Sequence, residues 1–248
     1  MQRILAKSNK MHLSIIIPAY NEARRIGETI KKTSDYLVKQ EYDSEIIVVN
    51  DGSTDDTVQT VHSLNLPLVR VIDNQKNHGK GYVVKQGMLS AQGNYRVFMD
   101  ADNSTQIQEI EKFWEFFEKD YSIVIGSRHA KEGGKRRVDQ PFYRAFLARA
   151  GNYLTQILLL WGIEDTQCGF KAFTAKATQA IFPKQTIVGW GFDMEILFIS
   201  KKQGFKIKEV GVNWYNEGES KFRALSGYIS TLRELLKIRI NGWQGKYK

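Results

Sequence analysis

The chain has little of what marks a secreted, disulfide-bonded or membrane-spanning protein. Its 248 residues include one cysteine, Cys168, which excludes an internal disulfide and a cysteine-rich zinc site. The longest weakly charged stretch, residues 150–163, is too short to cross a bilayer and is interrupted by polar residues. Residues 1–10 lack the apolar segment of a signal peptide, so we expect a cytoplasmic protein.

Acidic residues are fewer than basic ones, with 27 Asp and Glu and 36 Lys and Arg, which gives a net charge of +9. The excess is concentrated in one loop, at Lys131, Lys135, Arg136 and Arg137 with Arg128, Arg144 and Arg149 beside it, and in a tail with Arg233, Lys237, Arg239, Lys246 and Lys248. For the loop we favour contact with an anionic membrane surface, where each cation contributes about 1 kcal/mol. For the tail, a solvated basic surface is an equal alternative. No nucleic-acid-binding signature accompanies the charge, so we expect no nucleic-acid partner.

Strand and helix patterns alternate along the chain. They predict strands at 13–17, 45–50, 67–72, 95–99 and 121–125, and helices at 22–40, 55–63, 79–91, 106–118, near 141–161 and at 192–203. This alternation indicates right-handed crossovers and a mostly parallel sheet flanked by helices, an α/β fold. With 42% hydrophobic residues, the chain can form one globular domain, residues 1–226, followed by a basic amphipathic helix or tail at 227–248.

The segment from Val97 to Thr105 ends an apolar run with two carboxylates, Asp100 and Asp102. Residues two apart in a strand share a face, so these carboxylates would repel each other unless a cation lay between them. A hard divalent metal is held beside phosphates in this way. The alternative for an isolated motif of this kind is a helix N-cap, because Asp, Asn, Ser and Thr are the favoured capping residues.

Two upstream segments favour the metal. Residues 14–22 predict a short apolar strand that stops at Pro18 and runs into a helix beginning near Glu22. Residues 45–57 predict a second strand followed by a glycine turn and an acidic helix start. In open α/β sheets, ligands bind outside the carboxyl ends of the strands. We therefore expect the three polar clusters to meet at one edge of the sheet.

In order and spacing, Pro18-Ala-Tyr-Asn-Glu22, Asn50-Asp-Gly-Ser-Thr-Asp55 and Asp100-Ala-Asp102 resemble the family 2 glycosyltransferases of the GT-A fold. Residues 165–173, 191–197, 212–214 and 218–221 further resemble the branch of polyprenyl-phosphate sugar synthases and dolichyl-phosphate β-glucosyltransferases. The resemblance implies inverting transfer of a sugar, with glucose expected, from a UDP-sugar to a polyprenyl phosphate such as dolichyl or undecaprenyl phosphate. A GDP-sugar donor is the alternative, and the implied cofactor is Mg²⁺ or Mn²⁺.

The resemblance also assigns donor-binding residues. Pro18, Tyr20 and Glu22 frame one wall of the base site, Lys80 pairs with a phosphate, Lys221 lies on a loop that closes over the phosphates, and Asp100 and Asp102 hold the metal. Asp51 is expected to accept the imide proton of uracil, a proton that cytosine lacks. A tight turn is the alternative for the loop containing Lys80, and a solvated lysine is the alternative for Lys221.

On the acceptor side, the resemblance implies that Arg128 and Arg144 clamp the phosphate, for which the planar guanidinium is suited. A helix-surface residue is the alternative for Arg144. Asp193 matches the position of the catalytic base in family members that glycosylate hydroxyl groups, which must lose a proton. Asp165 is a second candidate, for acceptor positioning or for sugar hydroxyls.

A hydroxyl acceptor in polysaccharide or glycolipid synthesis is therefore the alternative function, and a non-catalytic nucleotide-binding module is the third. A processive synthase is disfavoured because no Gln-x-x-Arg-Trp motif occurs.

In the tail, the apolar residues Ile229, Leu232, Leu236 and Ile240 recur at helical spacing. Such a stripe usually packs on the core, and this is our first prediction for it. The alternative is an interfacial helix, with Trp243 and Tyr247 as anchors at the level of the lipid headgroups.

Overall fold

The computed structural model describes residues 12–128, 136–137, 155–215 and 224–248, with the backbone alone at 136–137 and 224–231. The strands are β1 Leu13–Ala19, β2 Ser44–Asp51, β3 Val69–Asn74, β4 Tyr95–Met99, β5 Ile123–Ser127, β6 Arg136–Arg137, β7 Phe170–Thr174, β8 Ile207–Gly211 and β9 Trp214–Tyr215. The helices are α1 Ile26–Leu37, α2 Thr57–Ser63, α3 Lys80–Ser90, α4 Glu111–Glu118, α5 Ala175–Ile181, α6 Phe192–Lys202 and α7 Ala224–Trp243.

Seven strands form one mixed, mostly parallel sheet in the order β3-β2-β1-β4-β7-β5-β8. Strand β7 runs antiparallel to both of its neighbours, whereas the other neighbouring pairs are parallel. The predicted α/β class is thus confirmed. Strands β1, β2 and β4 end at the same edge, and there the register pairs Ala19 with Asn50 and Asp51 with Asn74. The short strands β6 and β9 pair separately.

Helices cover both faces of the sheet, which explains why the central strands are apolar almost without interruption. Side chains alternate between the two faces, so that Ile16 and Phe98 belong to one buried cluster with α3 and α6, while Ile15 and Val97 belong to a second cluster with α1 and α4. The rigid sheet between these clusters holds the polar strand ends in fixed positions.

Several predicted bounds were wrong by a few residues. Helix α1 covers Ile26–Leu37 rather than 22–40, because the chain turns at Asn21, whose φ is 54°, and the backbone N–H of Glu22 bonds instead to Thr57 Oγ1 at 2.8 Å. Strands β3 and β5 lie two residues later than predicted, and the helix predicted from residue 106 begins as a 3₁₀ turn at Ile107–Ile110.

The second half of the chain differs more from the prediction. The sequence pattern missed β7, β8 and α5. Strand β7 is five residues long with a lysine at its second position, and β8 is a half-buried edge strand, so neither shows a clear apolar alternation. Of the helix predicted near 141–161, the described part is a π-helical turn at Gln156–Leu160, and its earlier residues lie outside those described.

Helix α7 packs against α6 and the turn at Gln156–Leu160. The prediction that Leu232, Leu236 and Ile240 pack on the core was wrong, because these three side chains are exposed. The buried apolar side chains of the helix are instead those of Leu235 and Ile238. The side chain of Ile229 lies outside those described. The alternative prediction that Tyr247 anchors the helix among lipid headgroups was also wrong, because Tyr247 is buried and its hydroxyl donates to Glu195 Oε1 at 2.6 Å. The domain division at residue 226 stays a prediction. Within the described residues, no helix has the length and apolarity of a bilayer span.

Candidate active site

Lys80 and Asp100 form an ion pair at the edge of the sheet where β1, β2 and β4 end. Asp100 follows β4, and Lys80 is the first residue of α3. Lys80 Nζ lies 2.6 Å from Asp100 Oδ1 and 5.2 Å from the centre of the Trp190 ring. Burial opposes the charge on Lys80, but Asp100 and Asp193 raise its pKa, so the amine is protonated near neutral pH.

Asp100 is also confined from its other side by the chain at Gly169, which precedes β7. A Cβ atom on residue 169 would lie 1.9 Å from Asp100 Oδ2, well inside any normal contact. Glycine is therefore required here by the close approach of the backbone to the carboxylate. The segment 165–173 is in this way packed directly against the carboxylate of Asp100.

Asp102 lies in the turn after β4, and 27% of its side chain is exposed. Its Oδ1 accepts the backbone N–H of Ser104 at 2.9 Å, and Asn103 adopts a φ of 56°. The next helical turn begins only at Ile107, so Asp102 does not cap a helix. Its Oδ2 is 4.0 Å from Arg25 Nη1.

These carboxylates fit one kind of metal site. Among the described residues, no group of three or more His, Cys, Asp or Glu side chains is arranged to enclose an ion. Mg²⁺ is commonly held by one or two carboxylates together with substrate phosphates rather than by an all-protein cage. Asp102 and Asp100 offer that donor set of hard oxygen atoms, so the residues present fit Mg²⁺ or the similar Mn²⁺ bound together with a diphosphate.

Asp51, at the end of β2, is buried and holds the turn before α3. Its two carboxylate oxygens accept the backbone N–H groups of His78 at 2.7 Å and Gly79 at 3.0 Å. Gly79 has a φ of 100°, a conformation that other residues rarely adopt. Asp51 thus fixes the position of Lys80, and its proposed contact with uracil stays a prediction.

The loops after β1 and β2 are tied together, as the shared edge requires. The Asn21 backbone N–H donates to Ser53 Oγ at 2.9 Å, and the Thr54 N–H donates to Asn21 Oδ1 at 2.8 Å. The prediction that the first strand stops at Pro18 was wrong, because β1 continues through Pro18 to Ala19. Tyr20 is 39% exposed beside it, and Glu22 pairs with Arg25. These residues line the same edge as Asp51.

The structure brings Arg128 and Asp165 into contact, although they are 37 residues apart. Arg128 Nε and Nη2 donate to the two oxygens of Asp165 at 2.8 and 2.9 Å, and the guanidinium lies 5.8 Å from the Trp214 ring centre. Burial opposes the charge on Arg128, but Asp165 raises its pKa. Two predicted acceptor residues therefore form one rigid pair. Arg144 and Lys221 lie outside the described residues.

Asp193 stands in a buried ion pair that the sequence did not reveal. Lys171 Nζ lies 2.5 Å from Asp193 Oδ1 and 2.6 Å from the Cys168 carbonyl oxygen, and both side chains are almost fully buried. Burial raises the pKa of Asp193, against the effect of Lys171 and Lys80. The carboxylate of Asp193 is thus engaged by a lysine. Its role as a base stays a prediction. The signal for the partner was a lysine inside the otherwise apolar strand β7.

A second unpredicted contact joins α7 to the site. Glu234 Oε2 accepts the Gly191 backbone N–H at 2.8 Å, and a Cβ on Gly189 or Gly191 would come within 2.6 Å of the same carboxylate. The preceding Val188 carbonyl accepts the Gly81 N–H at 2.8 Å. The loop 188–191 therefore packs between α7 and the turn that carries Lys80.

A mostly parallel sheet with carboxylates at the carboxyl ends of its strands is the architecture of the GT-A nucleotide-sugar transferases, and two solved glycosyltransferases have a similar fold. Mannosyl-3-phosphoglycerate synthase from Rubrobacter xylanophilus aligns over 95% of this chain and 75% of its own, with a TM-score of 0.70 and 18% identity. Glucosyl-3-phosphoglycerate synthase from Mycobacterium tuberculosis, in complex with Mn²⁺, UDP-glucose and phosphoglyceric acid, aligns over 92% of this chain and 80% of its own, with a TM-score of 0.69 and 18% identity.

The chain belongs to glycosyl transferase family 2, whose model matches residues 14–182. It is therefore a glycosyltransferase, as its motifs predict. The dolichyl-phosphate beta-glucosyltransferase of Trichomonas vaginalis is 36% identical over 94% of this chain and 72% of its own. The enzymes with the same name from Saccharomyces cerevisiae and Homo sapiens are 32% and 31% identical, over 96% and 95% of this chain and 77% of theirs. The predicted resemblance to this branch is thus confirmed.

Proposed function

We propose that this protein transfers glucose, with inversion, from UDP-glucose to a polyprenyl phosphate at the cytoplasmic face of a membrane, with Mg²⁺ or Mn²⁺ as cofactor. The observation that carries the proposal is the edge that Asp51, Lys80, Asp100 and Asp102 share, in a chain similar over nearly its whole length to dolichyl-phosphate beta-glucosyltransferases. The UDP-glucose and Mn²⁺ of the Mycobacterium tuberculosis neighbour support the donor and the metal.

Charge governs the donor side of the reaction. As the bond between sugar and phosphate breaks, negative charge grows on the nucleotide diphosphate. Lys80, aligned by Asp100 and by the turn that Asp51 holds, supplies a fixed positive charge at this edge. Asp102 and Asp100 would hold the metal, which when bound stabilises the diphosphate leaving group.

The acceptor side requires orientation more than proton transfer. A phosphate monoester is anionic near neutral pH and needs no strong general base. Arg128, held in one orientation by Asp165, keeps further N–H donors for a phosphate, since a guanidinium has five. The engagement of Asp193 by Lys171 supports an acceptor that does not depend on a free carboxylate base.

The test is transfer of label from radioactive UDP-glucose into an organic phase that contains polyprenyl phosphate, with Mg²⁺ or Mn²⁺ present. We expect labelled lipid from the wild-type chain, and a loss of about 100-fold or more in Asp102→Asn, because charge stabilisation at a leaving group is worth several kcal/mol. Asp56→Asn is the matched control, since Asp56 is exposed at the start of α2 and should be neutral to activity.

Three other outcomes would contradict the proposal in different ways. Transfer from a GDP-sugar instead of UDP-glucose would overturn the donor. Hydrolysis of the donor without labelled lipid would point to a hydroxyl acceptor and to Asp193 as its base. Donor binding without any turnover would indicate a nucleotide-binding module.

A further inference from the structure

Helix α7 has two apolar faces, and one of them is not covered by the rest of the described chain. Its inner face buries Leu235 and Ile238, at 2% and 0% exposure. Its outer face presents four large apolar side chains: Leu232 at 44%, Leu236 at 50%, Ile240 at 46% and Trp243 at 73% exposure. Successive spacings of four, four and three residues align these four along one side of a helix. We call them the outer stripe.

Basic side chains flank the outer stripe on both sides. At 100° per residue, Arg233 and Lys237 fall on one side of it and Arg239 falls on the other. Arg233 and Lys237 are exposed, and the Arg239 guanidinium lies 5.2 Å from the Trp243 ring centre. An exposed apolar stripe with a tryptophan, bordered by cations, is the pattern of a helix that lies in the plane of a lipid interface.

We infer that the outer stripe of α7 is the surface on which this protein lies against an anionic lipid bilayer. The inference rests on the proposed function, because a polyprenyl phosphate acceptor is embedded in a bilayer and the enzyme must therefore meet one. The charges favour lipid over a second copy of this chain. Two copies would bring like cations together, because Glu234, the acidic residue of this stretch, is turned inward to Gly191.

The inner face of the same helix connects this surface to the active site. Glu234 holds the loop at Gly189–Gly191, and Trp190 of that loop lies 5.2 Å from Lys80 Nζ. The outer stripe and this loop are thus separated by about one helix diameter, ~10 Å. A helix docked in this way would hold the sheet edge that carries Lys80 and Asp100 close to the headgroup layer, where the phosphate of a lipid acceptor lies.

The test is co-sedimentation of the full chain with phosphatidylcholine vesicles, with and without phosphatidylglycerol, in the absence of donor and polyprenyl phosphate. We expect binding to the anionic vesicles that weakens at high salt. The double variant Leu236→Ser/Ile240→Ser should reduce the partition coefficient by about tenfold or more, because both side chains leave the acyl boundary. Lys237→Glu should weaken binding to the anionic vesicles alone.

Val38→Ser is the matched control, because Val38 is 65% exposed at the end of α1 and loses a similar apolar side chain outside the stripe. The control should bind as the wild-type chain does. Unchanged thermal unfolding of the double variant would show that its fold is retained, since the substituted side chains are exposed.

Vesicle binding by the double variant equal to that of the wild type would overturn the inference. A wild-type dimer in sedimentation velocity, converted to a monomer by the double variant and without affinity for vesicles, would overturn it in favour of a second copy. The proposed function fails separately, because vesicle binding is measured without either substrate. Stripe-dependent binding with no glucose transfer would refute the enzymatic proposal and support the docking surface.

Discussion

The most direct test of the site geometry is the substitution Gly169→Ala. The added methyl carbon would start 1.9 Å from Asp100 Oδ2 and 2.4 Å from its Cγ. To restore ordinary contact, the carboxylate must move by about 1.5 Å. Asp100 has a short side chain and is paired with Lys80 at 2.6 Å, so such a movement breaks or distorts that ion pair.

The expected effect falls on activity rather than on folding. A misplacement of about 1 Å in a catalytic constellation can cost roughly 100-fold in rate, and we expect a loss of at least that size in kcat/KM for glucose transfer. Gly169 does not have a positive φ, so alanine is compatible with its backbone, and the unfolding free energy should change by less than about 1 kcal/mol.

The assay compares glucose transfer, UDP-glucose binding by calorimetry and urea unfolding for Gly169→Ala and for a control. Gly27→Ala is the control, because it adds the same methyl group in α1, where it meets a Thr60 methyl at 3.3 Å and nothing of the site. Full transfer activity in Gly169→Ala with unchanged stability would refute the view that the position of Asp100 matters. Loss of stability together with activity would show a packing defect instead.

Three further predictions concern buried polar groups. Lys171→Met leaves the Asp193 carboxylate buried without its cation and should lower the urea unfolding free energy by about 3–5 kcal/mol. Tyr247→Phe removes the hydroxyl that donates to Glu195 and should lower it by about 2 kcal/mol. Burial alone would raise the pKa of Glu45, but a backbone N–H, a hydroxyl and a guanidinium hold it below its ordinary value. Its stabilisation is therefore present above the ordinary pKa of a glutamate and is lost as the pH falls through the lowered pKa of Glu45, a loss that should be smaller in Glu45→Gln.

Each of these predictions has its own contradicting result. Replacing Lys171 and Asp193 together by uncharged residues should recover most of the stability lost in Lys171→Met, and a further loss would show that the pair is not the cause. Equal stability of Tyr247→Phe and the wild type would mean that water replaces the hydroxyl. The same loss of stability on acidification with and without Glu45 would assign that loss to other carboxylates.

Much of the site follows from local sequence. Strand β4 reads as an apolar run that ends in polar residues, and β1 and β2 read in the same way. The carboxyl ends of neighbouring parallel strands lie at the same edge of a sheet, so the sequence alone places Asp51, Asp100 and Asp102 at one edge. This placement depends only on the period of each element and on turn chemistry. Lys80 was instead indicated by the resemblance of its glycine-containing loop to the family, since the residues alone also fit a tight turn that opens a helix.

The partners of these residues depend on contacts between distant parts of the chain. Lys171 and Asp193 are 22 residues apart, Arg128 and Asp165 are 37 apart, and Glu234 and Gly191 are 43 apart. No local periodicity encodes such pairs, because each forms only when separate elements pack against the sheet. The sequence therefore indicated Arg128, Asp165 and Asp193 as separate functional groups, whereas the structure engages each of them with a partner.

The C-terminal helix separates the two kinds of information most clearly. Its sequence determines a helix with apolar residues at two sets of positions, and it also determines the basic residues between them. Either set satisfies helical spacing, so the sequence pattern does not select the buried one. Tertiary structure decides in favour of Leu235 and Ile238, because Glu234 bonds to Gly191 and Tyr247 bonds to Glu195, and these two contacts fix the rotation of the helix. The outer stripe faces outward as a consequence.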